Sequence, residues 1–180
     1  MKLVSASAVL CAISSIAHGS PLHARDAKPI LDVLASVQKN IDGLDAAVKG
    51  WTCNPGPVLR ASYGLVGTIK SGTKAVSGHD KLTLSESLGL LKPVQDLRAH
   101  AQALVDDLGA RKPQIQADYE CDVVRQTIAD IAASSQALVD ATVSKVPDNA
   151  KDIARKQAQG VTDVLNGAKA AFDQANCVNK

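Results

Sequence analysis

Aromatic residues are almost absent from this sequence of 180 residues. Trp51, Tyr63, Tyr119 and Phe172 are the only four, which is 2% of the chain. Proteins that hold single-stranded nucleic acid stack its bases on several aromatic rings, and this chain cannot supply them. The 20 basic and 18 acidic residues leave a formal net charge of +2, so the basic surplus that binds phosphate backbones is missing too. Both shortages argue against nucleic acid as a partner.

Long hydrophobic runs are also missing. The longest one, after Lys2, extends from Leu3 to Ile16, which is shorter than the roughly 20 apolar residues that span a membrane. Its positive start, its short apolar stretch and the small residues at Ala17-His18-Gly19 are typical of a secretory signal peptide. We therefore predict a signal peptide at residues 1–19, no membrane span, and a secreted protein with a single domain at residues 20–180.

Cysteine is scarce, and its count depends on the signal peptide. Removal of residues 1–19 takes Cys11 away and leaves three of the four cysteines, Cys53, Cys121 and Cys177. An odd number in an exported protein implies one disulfide and a free thiol, or an intermolecular bond. No CxxC or paired-histidine motif suggests zinc, so no metal is expected.

What the chain does contain is helical periodicity almost everywhere. Apolar residues recur at steps of three and four, as on one face of an amphipathic helix, and no stretch alternates as a strand would. The pattern predicts five long helices, bounded near 29–50, 58–77, 83–108 and 113–145, with the fifth running from a break at 147–149 to about 176. Short loops between them favour an all-α fold, an antiparallel up-and-down bundle.

Two features punctuate the predicted third helix. Thr83 and Glu86 have the spacing of a capping box, in which each side chain bonds to the other residue's backbone N–H. Pro93 then either kinks the helix or ends a short helix and begins a new one. The predicted second helix is weakened by Gly64, Gly67 and Gly72.

The alternating helix directions place all three cysteines of the mature chain at one end of the bundle. Cys53 follows the first helix, Cys177 follows the fifth, and Cys121 lies about two turns into the fourth, which descends from that end. We predict a Cys53–Cys121 disulfide, because Cys177 lies on a tail that frays easily.

Recognisable enzyme motifs are missing. The sequence has no G-x-S-x-G, P-loop or H-E-x-x-H motif, and His23, His79 and His100 lie in no catalytic pattern. Cys53 or Cys121 would be a nucleophile only beside a base, so a structural disulfide is favoured. We predict a protein that is not an enzyme and needs no cofactor.

Several short motifs, in their order and spacing, resemble those of a known family. They are Arg25-Asp26 ahead of Leu31 and Leu34, Leu91-Lys92-Pro93-Val94 ahead of Leu97, Asp107-Leu108 ahead of Lys112-Pro113, and Ser144-Lys145-Val146-Pro147. In this respect the chain resembles the fungal hydrophobic surface-binding protein A family, which includes antigenic cell wall galactomannoproteins. The resemblance covers nearly all of the mature chain, although three cysteines are not typical of that family.

The resemblance implies an exported or cell-wall helical protein without catalytic residues. It implies adsorption to hydrophobic surfaces, recruitment of secreted hydrolases there and, for the cell-wall members, a bundle that takes a fatty acid into its apolar interior. A cell-wall polysaccharide is a further possible partner.

The residues give this reading independent physical support. Long aliphatic stripes with few aromatic rings offer internal room for an acyl chain, and the glycines of the second helix and Pro93 would let helices part. The alternative is a tightly packed bundle in which small residues bring helices close. The predicted lipid-binding residues are Leu65, Ile69, Leu91, Val94, Leu97, Leu104, Ile128, Ile131, Leu138, Val161 and Leu165. The predicted head-group partners are Thr68, Ser71, Ser135 and Gln136.

Two other classes of function fit the sequence less well. A helical inhibitor of an extracellular hydrolase is the main alternative, but such inhibitors carry a close cysteine pair near the mature N-terminus, and no cysteine lies between residue 20 and Cys53. A secreted helical chorismate mutase would need arginine and glutamate side chains inside the bundle, where these stripes are apolar.

Overall fold

The computed structural model describes residues 27–180, and the predicted signal peptide at 1–19 lies outside them. Seven α-helices and no strand occupy the described residues, so the predicted all-α class is confirmed. Five helices are long and two, α3 and α5, have six residues each. The helices are α1 Lys28–Lys49, α2 Gly56–Gly78, α3 Leu84–Gly89, α4 Leu91–Ala110, α5 Lys112–Ala117, α6 Cys121–Lys145 and α7 Lys151–Ala171, with a 3₁₀ turn at Asp148–Ala150.

The five long helices form a closed ring in cross-section. α1 packs on α2, α2 on α6, α6 on α7, α7 on α4, and α4 on α1. Each helix turns its apolar stripe inward, and α1 shows the pattern clearly because Ile30, Leu34, Val37 and Ile41 are all buried. A ring of five helices encloses space along its axis, and that axis is where the core of this protein lies.

Contacts between helix ends fix the directions around the ring. The Lys145 amine at the end of α6 donates to the Ser77 carbonyl at the end of α2, so these two helices are parallel. The Lys49 amine at the end of α1 pairs with Asp107 near the end of α4, at 3.1 Å, so these two are parallel as well. Helices alternate up and down along the chain, yet the ring contains parallel neighbours.

The predicted fourth helix is interrupted, which the sequence pattern did not indicate. It runs as α5 and α6, separated by a turn in which Tyr119 has a positive φ of 62°. The Trp51 indole N–H donates to Asp118 at 2.7 Å, and the Glu120 N–H donates to the Ile115 carbonyl at 3.0 Å. A hydrogen bond from a distant part of the chain therefore holds the break where no glycine or proline marks it.

The third predicted helix is a short helix followed by a fresh start, the second of the two expectations for Pro93. The capping box is present, with the Thr83 N–H donating to Glu86 at 2.7 Å and the Glu86 N–H donating to Thr83. α3 ends at Gly89, and Pro93 lies in the first turn of α4, where its missing N–H costs no helical bond. The restart changes the helical register, so Leu84 and Leu88, which one continuous helix would place on the same face as the cavity-lining Leu91, are exposed.

The predicted Cys53–Cys121 disulfide is wrong. Cys121 pairs with Cys177 instead, and Cys53 is a free, exposed thiol. Residues 172–180 are tied to α6, because the Arg125 guanidinium donates to the Phe172 and Cys177 carbonyls at 2.9 and 3.0 Å. All three cysteines lie at one end of the bundle, as expected. We call this end the cysteine end.

The glycines of α2 do not act alike. A Cβ built on Gly72 would lie 2.5 Å from Cγ1 of Val33, so at this position a small residue lets α1 and α2 pack closely. The same test finds open space at Gly67 and only ordinary contact at Gly64. For Gly72, close packing rather than helix separation explains the residue.

In the described region no helix is long and apolar enough to cross a membrane.

Candidate functional site

The main cavity lies on the axis of the helix ring and has a volume of about 140 Å³. All five long helices line it, and α3 closes part of one end through Ser87. Nearly all of its lining side chains are leucine, isoleucine, valine or alanine. We call the end of this cavity near α3 the mouth, and it lies at the opposite end of the bundle from the cysteines. An enclosure of this kind accepts flexible apolar groups, and a charged group of the same ligand would stay outside its apolar walls.

Ten of the eleven predicted lipid-binding residues line this main cavity. Side chains of this set come from four different helices, and the aliphatic stripes of α4 and α6 form opposite walls. The ten are Leu65, Ile69, Leu91, Val94, Leu97, Leu104, Ile131, Leu138, Val161 and Leu165. Ile128 lies outside the main cavity and lines the second one.

A second apolar cavity of about 60 Å³ lies toward the cysteine end. Trp51, Leu108 and Val124 are among its lining residues. Only four side chains are shared by the two linings, namely Leu104, Val105, Ile131 and Leu165. These four form the partition between the cavities. Leu104 and Leu165 can change rotamer, whereas Val105 and Ile131 are β-branched and stiffer, so movement of the two leucines would join the two spaces into one.

Only one of the four predicted head-group partners lines the main cavity. Ser135 lines the main cavity. Thr68 is half-buried outside it, whereas Ser71 and Gln136 are exposed, and the Gln136 amide donates to Asp140 at 2.9 Å on the outer face of α6. These three residues lie beside the buried stripes of their helices and line neither apolar cavity, so their role as head-group partners stays a prediction.

Three polar residues that sequence reasoning did not propose for this role line the cavity near its mouth. Ser87 and Thr142 bond to the backbone carbonyls of Thr83 and Leu138, each at 2.8 Å, but Gln157 has no hydrogen bond within the described part of the chain. The signal for Gln157 was its spacing, four residues before the buried Val161 on the same face of α7. The Gln157 amide is therefore free to donate to a ligand's carboxylate.

A separate polar cluster lies at the cysteine end. The Gln114 amide donates to Asp118 at 2.9 Å and to the Cys53 sulfur at 3.6 Å. The indole N–H of Trp51 holds the pKa of Asp118 below its usual range, and Asp118 in turn raises the pKa of the Cys53 thiol by hydrogen bonding and by charge. A raised pKa disfavours the thiolate, so the environment does not activate Cys53 as a nucleophile.

No group of three or more histidine, cysteine or acidic side chains with metal-binding geometry occurs among residues 27–180. The His100 ring bonds to Asp42 at 2.5 Å and to Gln38 at 3.1 Å, and thereby ties α4 to α1. His100 is half-exposed, and its two hydrogen bonds hold α4 and α1 together.

The sequence profile of hydrophobic surface binding protein A matches residues 27–144. The chain belongs to this family. It is 27% identical over 161 residues to cell wall mannoprotein 1 of Aspergillus flavus, and 28% identical over 148 residues to cell wall mannoprotein 1 of Aspergillus fumigatus. These alignments cover 89% and 82% of the chain but only 59% and 52% of the relatives, so the chain spans little more than half of their length.

Solved structures with the same fold are known. Ligand binding domain 2 of the Penicillium marneffei MP1 protein, complexed with multiple arachidonic acids, superposes with a TM-score of 0.79 at 19% identity, over 83% of this chain and 97% of that one. The structure of AFMP4P in complex with palmitic acid gives a TM-score of 0.76 at 20% identity, over 82% and 100% of the two chains. At these identities the likeness establishes the fold.

Proposed function

We propose that this family member binds long-chain fatty acids inside its helix ring and acts by binding rather than by catalysis. The single observation that carries the proposal is the cavity on the ring axis, whose lining comes from all five long helices and is almost wholly aliphatic. Each methylene group that leaves water for such a lining contributes about 0.8 kcal/mol, so a long chain gains affinity without a charged clamp.

The two cavities together match a long acyl chain in length. Residues of α4 that line them extend from Leu91 to Leu108, which is about 25 Å along a helix at 1.5 Å per residue. The main cavity by itself is about as large as an apolar cavity of ~150 Å³ that holds benzene. Binding of a long chain therefore requires the partition leucines, Leu104 and Leu165, to change rotamer and join the cavities.

The mouth supplies the polar end of the site. The free Gln157 amide and the Thr142 hydroxyl lie where the carboxylate of a bound acid would remain, with the hydrocarbon chain directed toward the cysteine end. The related structures that hold arachidonic and palmitic acids support this ligand class. The cell wall mannoproteins among its relatives support a cell-wall or extracellular location. Binding of a wall polysaccharide or a secreted hydrolase stays a prediction from the sequence.

The proposal is tested by titrating delipidated protein with a fluorescent fatty acid and displacing the probe with palmitic acid. We expect saturable, displaceable binding that is lost in Ile131→Asp, because the new carboxylate lies in the partition and would be buried against the chain. Ala133→Asp is the matched control, since Ala133 is exposed on the outer side of α6. Circular dichroism shows whether both variants keep their helices. Absence of saturable binding by the unmodified protein would overturn the proposal.

A further inference from the structure

The exposed leucine and isoleucine side chains of the described chain are gathered at one end of the bundle. Leu84 is 43% exposed, Leu88 45% and Ile153 47%, and no other leucine or isoleucine in residues 27–180 is as exposed. Leu84 and Leu88 are four residues apart on α3 and therefore share a face. Ile153 lies in the first turn of α7, directly after the 3₁₀ turn that α3 contacts. We call these three residues the apolar rim.

The same short helix forms the end wall of the main cavity. Ser87, on α3 between the two rim leucines, is 7% exposed and lines the cavity together with Leu90, the residue that follows α3. α3 has only six residues, and its main contacts are with α4 and the 3₁₀ turn. A helix of this length has little stability of its own, so the part of the wall that carries the rim is also the part most easily moved.

Besides the two local ion pairs, the residues around the rim include three basic side chains, Lys81, Lys145 and Lys156, and two acidic ones, Asp80 and Glu86, so the local charge is only slightly positive. Asp148 pairs with Lys151 at 2.6 Å, and Asp152 pairs with Arg155 at 3.1 Å. Lys156 lies one turn from Ile153, and neither it nor Lys145 has an ion pair with a carboxylate in the described part of the chain. An apolar patch beside a small excess of ammonium groups complements a lipid surface with anionic head groups.

We propose that the apolar rim docks the bundle on an anionic lipid surface and that α3 is the segment that moves to admit an acyl chain from that surface into the cavity. This inference rests on the proposed function and names where the ligand enters. Docking places the mouth, with Gln157 and Thr142, at the level of the lipid head groups. The hydrocarbon chain can then pass from one apolar environment to another with little exposure to water.

The test compares two double variants in flotation with vesicles of phosphatidylcholine and phosphatidylglycerol. Leu84→Ser/Leu88→Ser removes the α3 part of the rim, and Tyr119→Ser/Val178→Ser removes two exposed side chains, 67% and 54% exposed, from the cysteine end. We expect the α3 variant to bind vesicles about tenfold more weakly. The apolar area that the two leucines would remove from water on docking corresponds to an effect of this order. Transfer of a fluorescent fatty acid from vesicle to protein slows by a similar factor.

The control variant should bind vesicles like the unmodified protein, and both variants should bind fatty acid added from solution within twofold of it. Equal vesicle binding by all three proteins, equal losses in the two variants, or no vesicle binding by the unmodified protein would overturn the docking inference. In each of those cases intact binding of fatty acid from solution leaves the proposed function standing. Failure of solution binding in the unmodified protein overturns both.

Discussion

At the scale of single residues, the free amide of Gln157 distinguishes the mouth of the cavity from its apolar walls. Serine and threonine hydroxyls at this end are engaged by backbone carbonyls, whereas the Gln157 amide has no partner within the described chain. A carboxylate that replaces water around this amide gains a hydrogen bond between an ionised acceptor and a neutral donor. Such bonds contribute more than neutral ones, about 1.5–3 kcal/mol.

Replacement of Gln157 by leucine should therefore weaken the binding of a fatty acid about tenfold or more. The corresponding fatty alcohol has no carboxylate, so its binding should be weakened much less. Competition against a fluorescent probe measures both affinities. Gln136→Leu is the matched control on the outer face of α6, and an equal loss in that variant would show that the head group lies elsewhere.

Asp118 is the second residue whose surroundings set its chemistry. Its carboxylate accepts the Trp51 N–H at 2.7 Å and stands beside the free thiol of Cys53. Because the hydrogen bond to Asp118 and its negative charge both disfavour the thiolate, the pKa of Cys53 lies above that of an ordinary cysteine.

Asp118→Asn should lower the pKa of Cys53, since asparagine keeps an oxygen for Trp51 but removes the charge that opposes ionisation. The expected result is that alkylation of Cys53 by iodoacetamide reaches half its maximal rate at a lower pH than in the unmodified protein. Asp122→Asn, at the same end but paired with Arg125, should leave the profile unchanged. An unchanged profile in Asp118→Asn would contradict the assignment.

At the scale of elements, two glycines of α2 lie in different surroundings. Gly72 is buried against Val33 of α1, whereas Gly67 is exposed to open space. An added methyl group at the first position meets a β-branched side chain that has few alternative rotamers. At the second position it meets only solvent and relieves the conformational cost of glycine in a helix.

We expect Gly72→Ala to destabilise the fold by about 1–3 kcal/mol, the usual cost of overpacking. Gly67→Ala should stabilise it by about 0.5–1 kcal/mol. Urea denaturation followed by circular dichroism measures both free energies of unfolding. If the two variants shifted in the same direction, close packing of α1 on α2 would not be the reason for Gly72.

Local signals were enough to predict most elements, and they failed where distant contacts decide. The capping box at Thr83 and the apolar period of α1 are local, and both appear as expected. The break between α5 and α6 depends on a hydrogen bond from Trp51, 67 residues earlier in the chain. The Cys121–Cys177 pairing likewise depends on Arg125 holding residues 172–180, which no helical pattern reveals.

At the scale of the whole molecule, the closed ring of five helices makes the cavity possible. The aliphatic stripes identified ten residues of its lining, because a residue on the apolar face of a ring helix must point to the axis. The order of helices around the ring and the position of the partition were not predictable. Both depend on which helices are neighbours, and periodicity does not carry that information.

The small number of aromatic residues also matters at the scale of the whole molecule. Trp51 and Phe172 are buried toward the cysteine end, and both tyrosines are exposed, so no aromatic side chain lines the main cavity. Aliphatic walls can rearrange by rotamer changes, and the ring axis can thus lengthen its cavity for a longer guest. This adaptability is the physical link between the composition and the proposed ligand.

The measurement that tests the central claim most directly is the affinity of the delipidated protein for saturated fatty acids of increasing chain length. If the chain lies along the ring axis, each added methylene group should tighten binding by up to about fourfold until the joined cavities are filled. Beyond that length the affinity should level off. An affinity that does not change with chain length would show that only the carboxylate is recognised and would contradict the account.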